Sequence, residues 1–220
     1  MDFSLVTIVL WAVPVVFAIT LHEAAHGYVA RQFGDQTAYM LGRVTLNPLK
    51  HIDPIGTIAV PGFLIAVSKL TGAPLFIFGW AKPVPINFGN LRNPKRDMLW
   101  VAGAGPFANF VMAVAWAYLL RVVAAPGGAM ASDGLALMAD AGIDVNLMLM
   151  ALNLLPILPL DGGRVAMSLL PQNLAAGYAR TERYGFFVVI LLLATGILNY
   201  LILPLYLAGK YAIYALFGLA

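Results

Sequence analysis

Long apolar runs separated by short polar stretches set the pattern of this chain. Residues 5–30 form the first run, which predicts a membrane-length helix with Pro14 inside it. Residues 31–52 turn polar and irregular, and within them Thr37 to Leu46 reads as a short edge hairpin. A second apolar run, 55–70, is broken by Gly56, Pro61 and Gly62, and the Gly-, Pro- and Asn-rich stretch from Gly72 to Pro94 cannot be one regular helix. Leu99 to about Val123 predicts another span, with GAGPFANF near its start, and residues 126–134 predict a Gly-rich loop. The chain is apolar again from Ile143 until two prolines and two glycines interrupt it in NLLPILPLDGGR, Asn153 to Arg164. Phe186 to Leu203 predicts a further span, and the remainder to Ala220 is apolar except for Lys210.

The predicted fold class is an all-α polytopic membrane protein of about five to six membrane segments, one of them a re-entrant or broken hairpin. Residues 1–220 read as a single membrane-embedded domain. Composition agrees: 61% of the residues are hydrophobic and 10% charged, against about 45–50% and about 25% in soluble domains. Only Asp2 precedes the first apolar run, so that run lacks the basic start of a secretory signal and reads as a retained span.

Charge adds orientation. Arg31, Arg43 and Lys50 follow the first run, Arg92, Lys95 and Arg96 precede the span at Leu99, and Arg164, Arg180 and Arg183 follow the Asp161 segment. The positive-inside rule puts all three clusters in the cytoplasm, so the segment between Lys50 and Arg92 must enter and leave on one side. A net charge of +3 spread over loops gives no case for a nucleic-acid partner, and the absence of cysteine excludes thiolate metal ligands.

Candidate chemistry begins at His22-Glu23-Ala24-Ala25-His26, inside the first apolar run. Positions i and i+4 project from one helix face, so both imidazoles can grip one zinc ion, with Glu23 beside them as a base for a zinc-bound water. A tetrahedral zinc site that keeps one position for water needs a third protein ligand. Asp161 is the candidate because an apolar run precedes it and Gly162-Gly163 follow, whereas the other aspartates flank loops or span ends. Taken alone Asp161 could equally cap a helix, but together with the histidines the ligand reading wins; simple helix–helix hydrogen bonding stays open for Asn153 and Asn109.

HEAAH, followed over a hundred residues later by NLLPILPLDGG, resembles the site-2 protease family of intramembrane zinc metalloproteases, in a compact form without a PDZ domain. GAGPFANF and GWAKPVPIN are similar to further segments of bacterial members. The resemblance implies His22, His26 and Asp161 as ligands of one Zn2+ per chain, Glu23 as catalytic base, Asn153 as a polar helper near the substrate carbonyl, and Asn109 as a substrate-binding residue. It also implies hydrolysis of peptide bonds in or near the transmembrane helix of single-span protein substrates. The expected location is a prokaryotic inner membrane, with the lipid bilayer as surroundings and the active site toward the cytoplasm. A membrane zinc transporter or sensor is the competing expectation and has no use for Glu23. A noncatalytic scaffold is a third, and composition excludes a soluble peptidase.

Overall fold

Backbone polar groups in lipid must be satisfied within the segment, which favours helices for runs of this kind. The structure, a computed structural model, describes residues 5–71, 79–125 and 132–219, and holds helices and no strand among them. Helix α1 covers Leu5–Gln32, with Pro14 buried inside it. After a turn at Gly34, whose φ is 109°, α2 is a single turn, Thr37–Met40. The hairpin predicted for Thr37 to Leu46 does not form. The Asp35 carboxylate accepts the Thr37 backbone N–H at 3.0 Å and starts a helical turn, and Gly42, at φ 63°, bends the chain before a strand can extend.

A π-helical turn, Pro54–Ala59, capped by Asp53, leads into α3, Val60–Thr71. Together they form a short apolar segment, and the tip of the predicted re-entrant hairpin, residues 72–78, lies outside the described residues. Residues 79–87 run without regular structure to a 3-10 turn, Phe88–Asn90. Helix α4, Pro94–Val123, begins earlier than the apolar run because Pro94 suits a first helical turn and Asp97 accepts the Asn93 N–H at 2.7 Å. Helix α5, Asp133–Asn153, also begins early, capped by Ser132. Most of the predicted Gly-rich loop, 126–131, lies outside the described residues.

The prolines after Asn153 end α5, and the chain restarts as α6, Asp161–Leu169, α7, Gln172–Ala179, and α8, Glu182–Ala194. The span predicted for Phe186 to Leu203 is split: Gly196 sits at φ 77°, a conformation that stops α8 and lets α9, Ile197–Phe217, start in a new direction. Four of the described helices, α1, α4, α5 and α9, are long and apolar enough to cross a membrane. The chain is an integral membrane protein, and exposed apolar side chains such as Phe107, Phe187, Leu191 and Leu216 suit a lipid-facing surface.

Helix α4 packs against α1, α5 and α6, and α9 packs against α5. Small residues allow these approaches: Ala113 and Ala117 of α4 meet Ile143, Leu147 and Met150 of α5 and Ile213 of α9 in one buried cluster. Polar ties join α5 to α9. Lys210 Nζ donates to Asp144 Oδ1 at 2.6 Å, Tyr206 donates to the same oxygen at 2.7 Å, and Tyr214 donates to Asp140 at 2.5 Å. These partners explain how a helix can begin among aspartates that a hydropathy pattern reads as loop. Removing Lys210 would leave the Asp144 carboxylate uncompensated in a span, with only the Tyr206 hydroxyl donating to it. Lys210→Met is expected to lower the thermal stability of the detergent-solubilised protein by on the order of 2–3 kcal/mol. The double variant Asp144→Asn/Lys210→Met should recover most of that loss, and equal melting of Lys210→Met and wild type would overturn the prediction.

Candidate metal centre

His22 and His26 lie one turn apart on α1, and Asp161 opens α6. Glycine makes that meeting possible. A Cβ on Gly162 would run into the Leu154 carbonyl, and one on Gly163 would lie 2.5 Å from the Leu158 nitrogen, so only a glycine pair lets α6 pass this backbone. The three side chains are buried together, with one ligand atom of each within 4.8 Å of the others. His22 Nε2 lies 3.1 Å from His26 Nε2 and 3.1 Å from Asp161 Oδ2, and His26 Nε2 is 3.3 Å from that same oxygen.

Hydrogen positions decide what this cluster is. His26 Nδ1 lies 2.7 Å from the Val101 carbonyl, and His22 Nδ1 lies 2.6 Å from Asn109 Oδ1. Both partners accept, so a neutral imidazole at either position carries its hydrogen at Nδ1 and turns the Nε2 lone pair toward the cluster. Asp161 Oδ2 is buried without a hydrogen-bond partner. With both imidazoles neutral, three lone-pair atoms converge, an arrangement that a bound cation satisfies. Ligands about 2.0–2.1 Å from a tetrahedral zinc stand roughly 3.3–3.4 Å apart, close to the separations found here. The donor set of two imidazoles and a carboxylate fits zinc.

Glu23 stands beside the cluster, half-buried, and its Oε2 accepts the Val84 N–H at 2.7 Å. The donor comes from Lys82-Pro83-Val84-Pro85, where the flanking prolines have no N–H to offer. This segment is fixed along its length. Lys82 N–H donates to the His51 carbonyl at 2.9 Å, Arg43 donates to the Lys82 carbonyl at 2.8 Å, and the Asn87 N–H donates to Asp35 at 2.6 Å. Glu23 is therefore oriented by a segment more than fifty residues away in sequence.

Burial raises the Asp35 carboxyl, but the hydrogen bonds from Thr37, Asn87 and Asn90 outweigh it and leave the group below the ordinary carboxylate range. A lowered native pKa stabilises the docked segment fully above the unfolded value, and the contribution disappears as pH falls through the native one. Proteolytic or hydrogen-exchange protection of residues 82–90 should hold at neutral pH and decline only below about pH 4. In Asp35→Asn that acid-dependent step should vanish; its persistence would point to another group.

Asn153 ends α5 and faces the centre, with its Nδ2 donating to the Leu149 carbonyl at 3.0 Å. A cavity of about 170 Å³ joins it to His22, Glu23, His26, Asp161 and Arg164. A second cavity, of about 560 Å³, shares Glu23, Asn153 and Arg164 and is walled by Trp80, Leu152, Phe186 and Val189. Asn109, expected at the substrate, is placed elsewhere. It is fully buried behind His22 and lines neither cavity. Sequence reading also missed Val84, whose contribution is a backbone N–H, and Arg164, though a charge three residues after Asp161 on a short helix was a usable signal.

The chain is 39% identical over 209 residues to "Putative zinc metalloprotease YwhC" of Bacillus subtilis (strain 168), a match covering 94% of this chain and 90% of that protein. It is 33% identical over 183 residues to "Putative zinc metalloprotease Rip2" of Mycolicibacterium smegmatis, covering 83% of this chain and 65% of the relative. A protein of the same printed name from Mycobacterium tuberculosis (strain ATCC 25618 / H37Rv) is 29% identical over 147 residues, covering 66% and 51%. No protein-family model matches the chain. No solved structure matches it. With two buried imidazoles and a carboxylate converging beside a glutamate, and with this likeness along nearly its whole length, the chain belongs to the zinc metalloprotease family that YwhC and Rip2 represent.

Proposed function

We propose that the protein is an intramembrane protease of the site-2 type that hydrolyses peptide bonds in or near the transmembrane helix of single-span proteins. The observation that carries this reading is the convergence of His22 Nε2, His26 Nε2 and Asp161 Oδ2, 3.1 to 3.3 Å from one another, next to an oriented Glu23. Zinc held there supplies Lewis acidity, lowering the pKa of a bound water and polarising the scissile carbonyl. Glu23, tethered through one oxygen to Val84, keeps its other oxygen to take the proton of the attacking water and return it to the leaving amine. Asn153 Nδ2 has one hydrogen beyond the Leu149 bond and can donate it to the developing oxyanion.

The surroundings favour an apolar, locally unwound peptide. Trp80, Leu149, Leu152, Phe186 and Val189 line the larger cavity beside Glu23. Trp80 and Phe186 also line a neighbouring apolar cavity of about 620 Å³ between α3 and α8. A helix hides its carbonyls in its own hydrogen bonds, so substrates weakened by Gly, Pro or Asn near the cut are favoured. The three basic clusters support an active site on the cytoplasmic face of a plasma membrane. Purified protein in vesicles with a single-span substrate is expected to carry one zinc per chain and to release two fragments, with cleavage lost on chelation and restored by zinc. Metal uptake without cleavage would favour the transporter reading.

A further inference from the structure

Behind the two histidines lie buried amides that no step of hydrolysis touches. His26 is oriented by a backbone group, because the Val101 carbonyl can only accept a hydrogen bond. His22 instead faces the side-chain amide of Asn109. An amide can present either end. Reversed, it would offer its NH2 to His22 Nδ1, the imidazole hydrogen would move to Nε2, and the lone pair that a metal needs would be blocked.

Two contacts oppose that reversal. Asn109 Nδ2 donates to Asn146 Oδ1 at 3.0 Å and to the Ala18 carbonyl at 3.3 Å. Asn146 is itself an amide with two possible orientations, and its own is set by the helix: Asn146 Nδ2 donates to the Gly142 carbonyl at 2.8 Å. Both asparagines are 0% exposed, so water cannot replace either partner. A polar side chain in the apolar run IDVNLMLMALN is costly to bury unless both its ends are used, and here both are.

We propose that Asn146 is a positioning residue of the metal centre: anchored on the Gly142 carbonyl, it fixes the direction of the Asn109 amide and thereby the His22 tautomer that offers Nε2 to the metal. The polarity is handed from α5 to α4 to α1. The inference depends on the zinc reading for its consequence, but the tautomer belongs to the protein with or without metal.

The test uses the full chain in detergent micelles, labelled with 15N at its three histidines, with zinc affinity measured by chelator competition. In Asn146→Leu only the longer 3.3 Å contact to the Ala18 carbonyl remains to orient Asn109, so metal-free His22 is expected to lose its single Nδ1–H tautomer while His26 keeps its own, and zinc affinity is expected to fall about 10- to 100-fold. Asn146→Asp keeps an oxygen facing Asn109 in either protonation state, so its His22 tautomer and zinc affinity should stay close to wild type. An Asn146→Leu protein with the wild-type His22 signature would overturn the proposal. So would joint changes at His22 and His26, which mark a general loss of packing, or an aspartate variant as damaged as the leucine one. A wild-type protein with both histidines as Nδ1–H tautomers but no affinity for zinc would overturn the metal reading and leave the amide relay standing.

Discussion

Glu23→Gln is expected to reduce peptide hydrolysis at least about a hundredfold, and up to about 10⁴-fold, with zinc content unchanged. Glutamine keeps the shape and, through its carbonyl oxygen, the 2.7 Å hydrogen bond from Val84. Its other end becomes an NH2, which donates and cannot accept the proton of an attacking water. Zinc should stay because Glu23 is not among the three atoms that converge on the metal position. The measurement is initial cleavage of a single-span substrate alongside metal counted per chain. Normal turnover in the variant would remove Glu23 from the reaction, and loss of zinc would make it a ligand instead of a base.

The contrast with His22 sharpens this test. His22→Ala removes one of three ligand atoms and leaves Asn109 Oδ1 without its partner, so metal and activity should fall together. Glu23→Gln should separate the two. A transporter or sensor predicts no such separation, because its glutamate would have no proton to move.

Much of this centre was legible in the sequence because it rests on side-chain identity at helical spacing. His22 and His26 share a face by periodicity alone, and Asp161 stood out as an acid at the end of an apolar run before two glycines. The parts that were not legible depend on backbone atoms or on partners far along the chain. The Val84 N–H on Glu23, the Val101 carbonyl on His26 and the Gly142 carbonyl on Asn146 carry no residue signature. Helix limits failed for similar reasons. Asp140 and Asp144 read as marking a span end or loop until Tyr206, Lys210 and Tyr214 arrive from α9 to pair with them. One Gly196 at positive φ divides an apolar stretch that a hydropathy window joins. The hairpin at Thr37 failed because a local Asp35 bond outcompeted strand pairing. Asn146 was the missed opportunity, since a fully buried amide in a membrane helix demands a partner.

Gly105→Ala is expected to abolish zinc binding and activity while leaving the fold in place. Gly105 belongs to GAGPFANF on α4, the segment similar to one in bacterial members of the family, though that likeness assigns the glycine no role. In the structure its missing side chain faces the metal position. A methyl there would lie 2.5 Å from His26 Nε2 and 2.6 Å from His22 Nε2, on the lone pairs that must reach the ion. The neighbours cannot retreat cheaply. His26 is held by the Val101 carbonyl from α4 itself and His22 by Asn109, four residues beyond Gly105 on the same helix, so moving α4 to make room drags both anchors with it. Alanine is a better helix former than glycine, by about 1 kcal/mol, which offsets part of the cost of the overlap, so the variant should still fold and melt only modestly below the metal-free wild type. Zinc content and the thermal gain on adding zinc distinguish the outcomes. Wild type should gain stability with zinc by mass action, and Gly105→Ala should gain none. A variant that binds zinc with wild-type affinity would show that the ion is held elsewhere than between these two imidazoles.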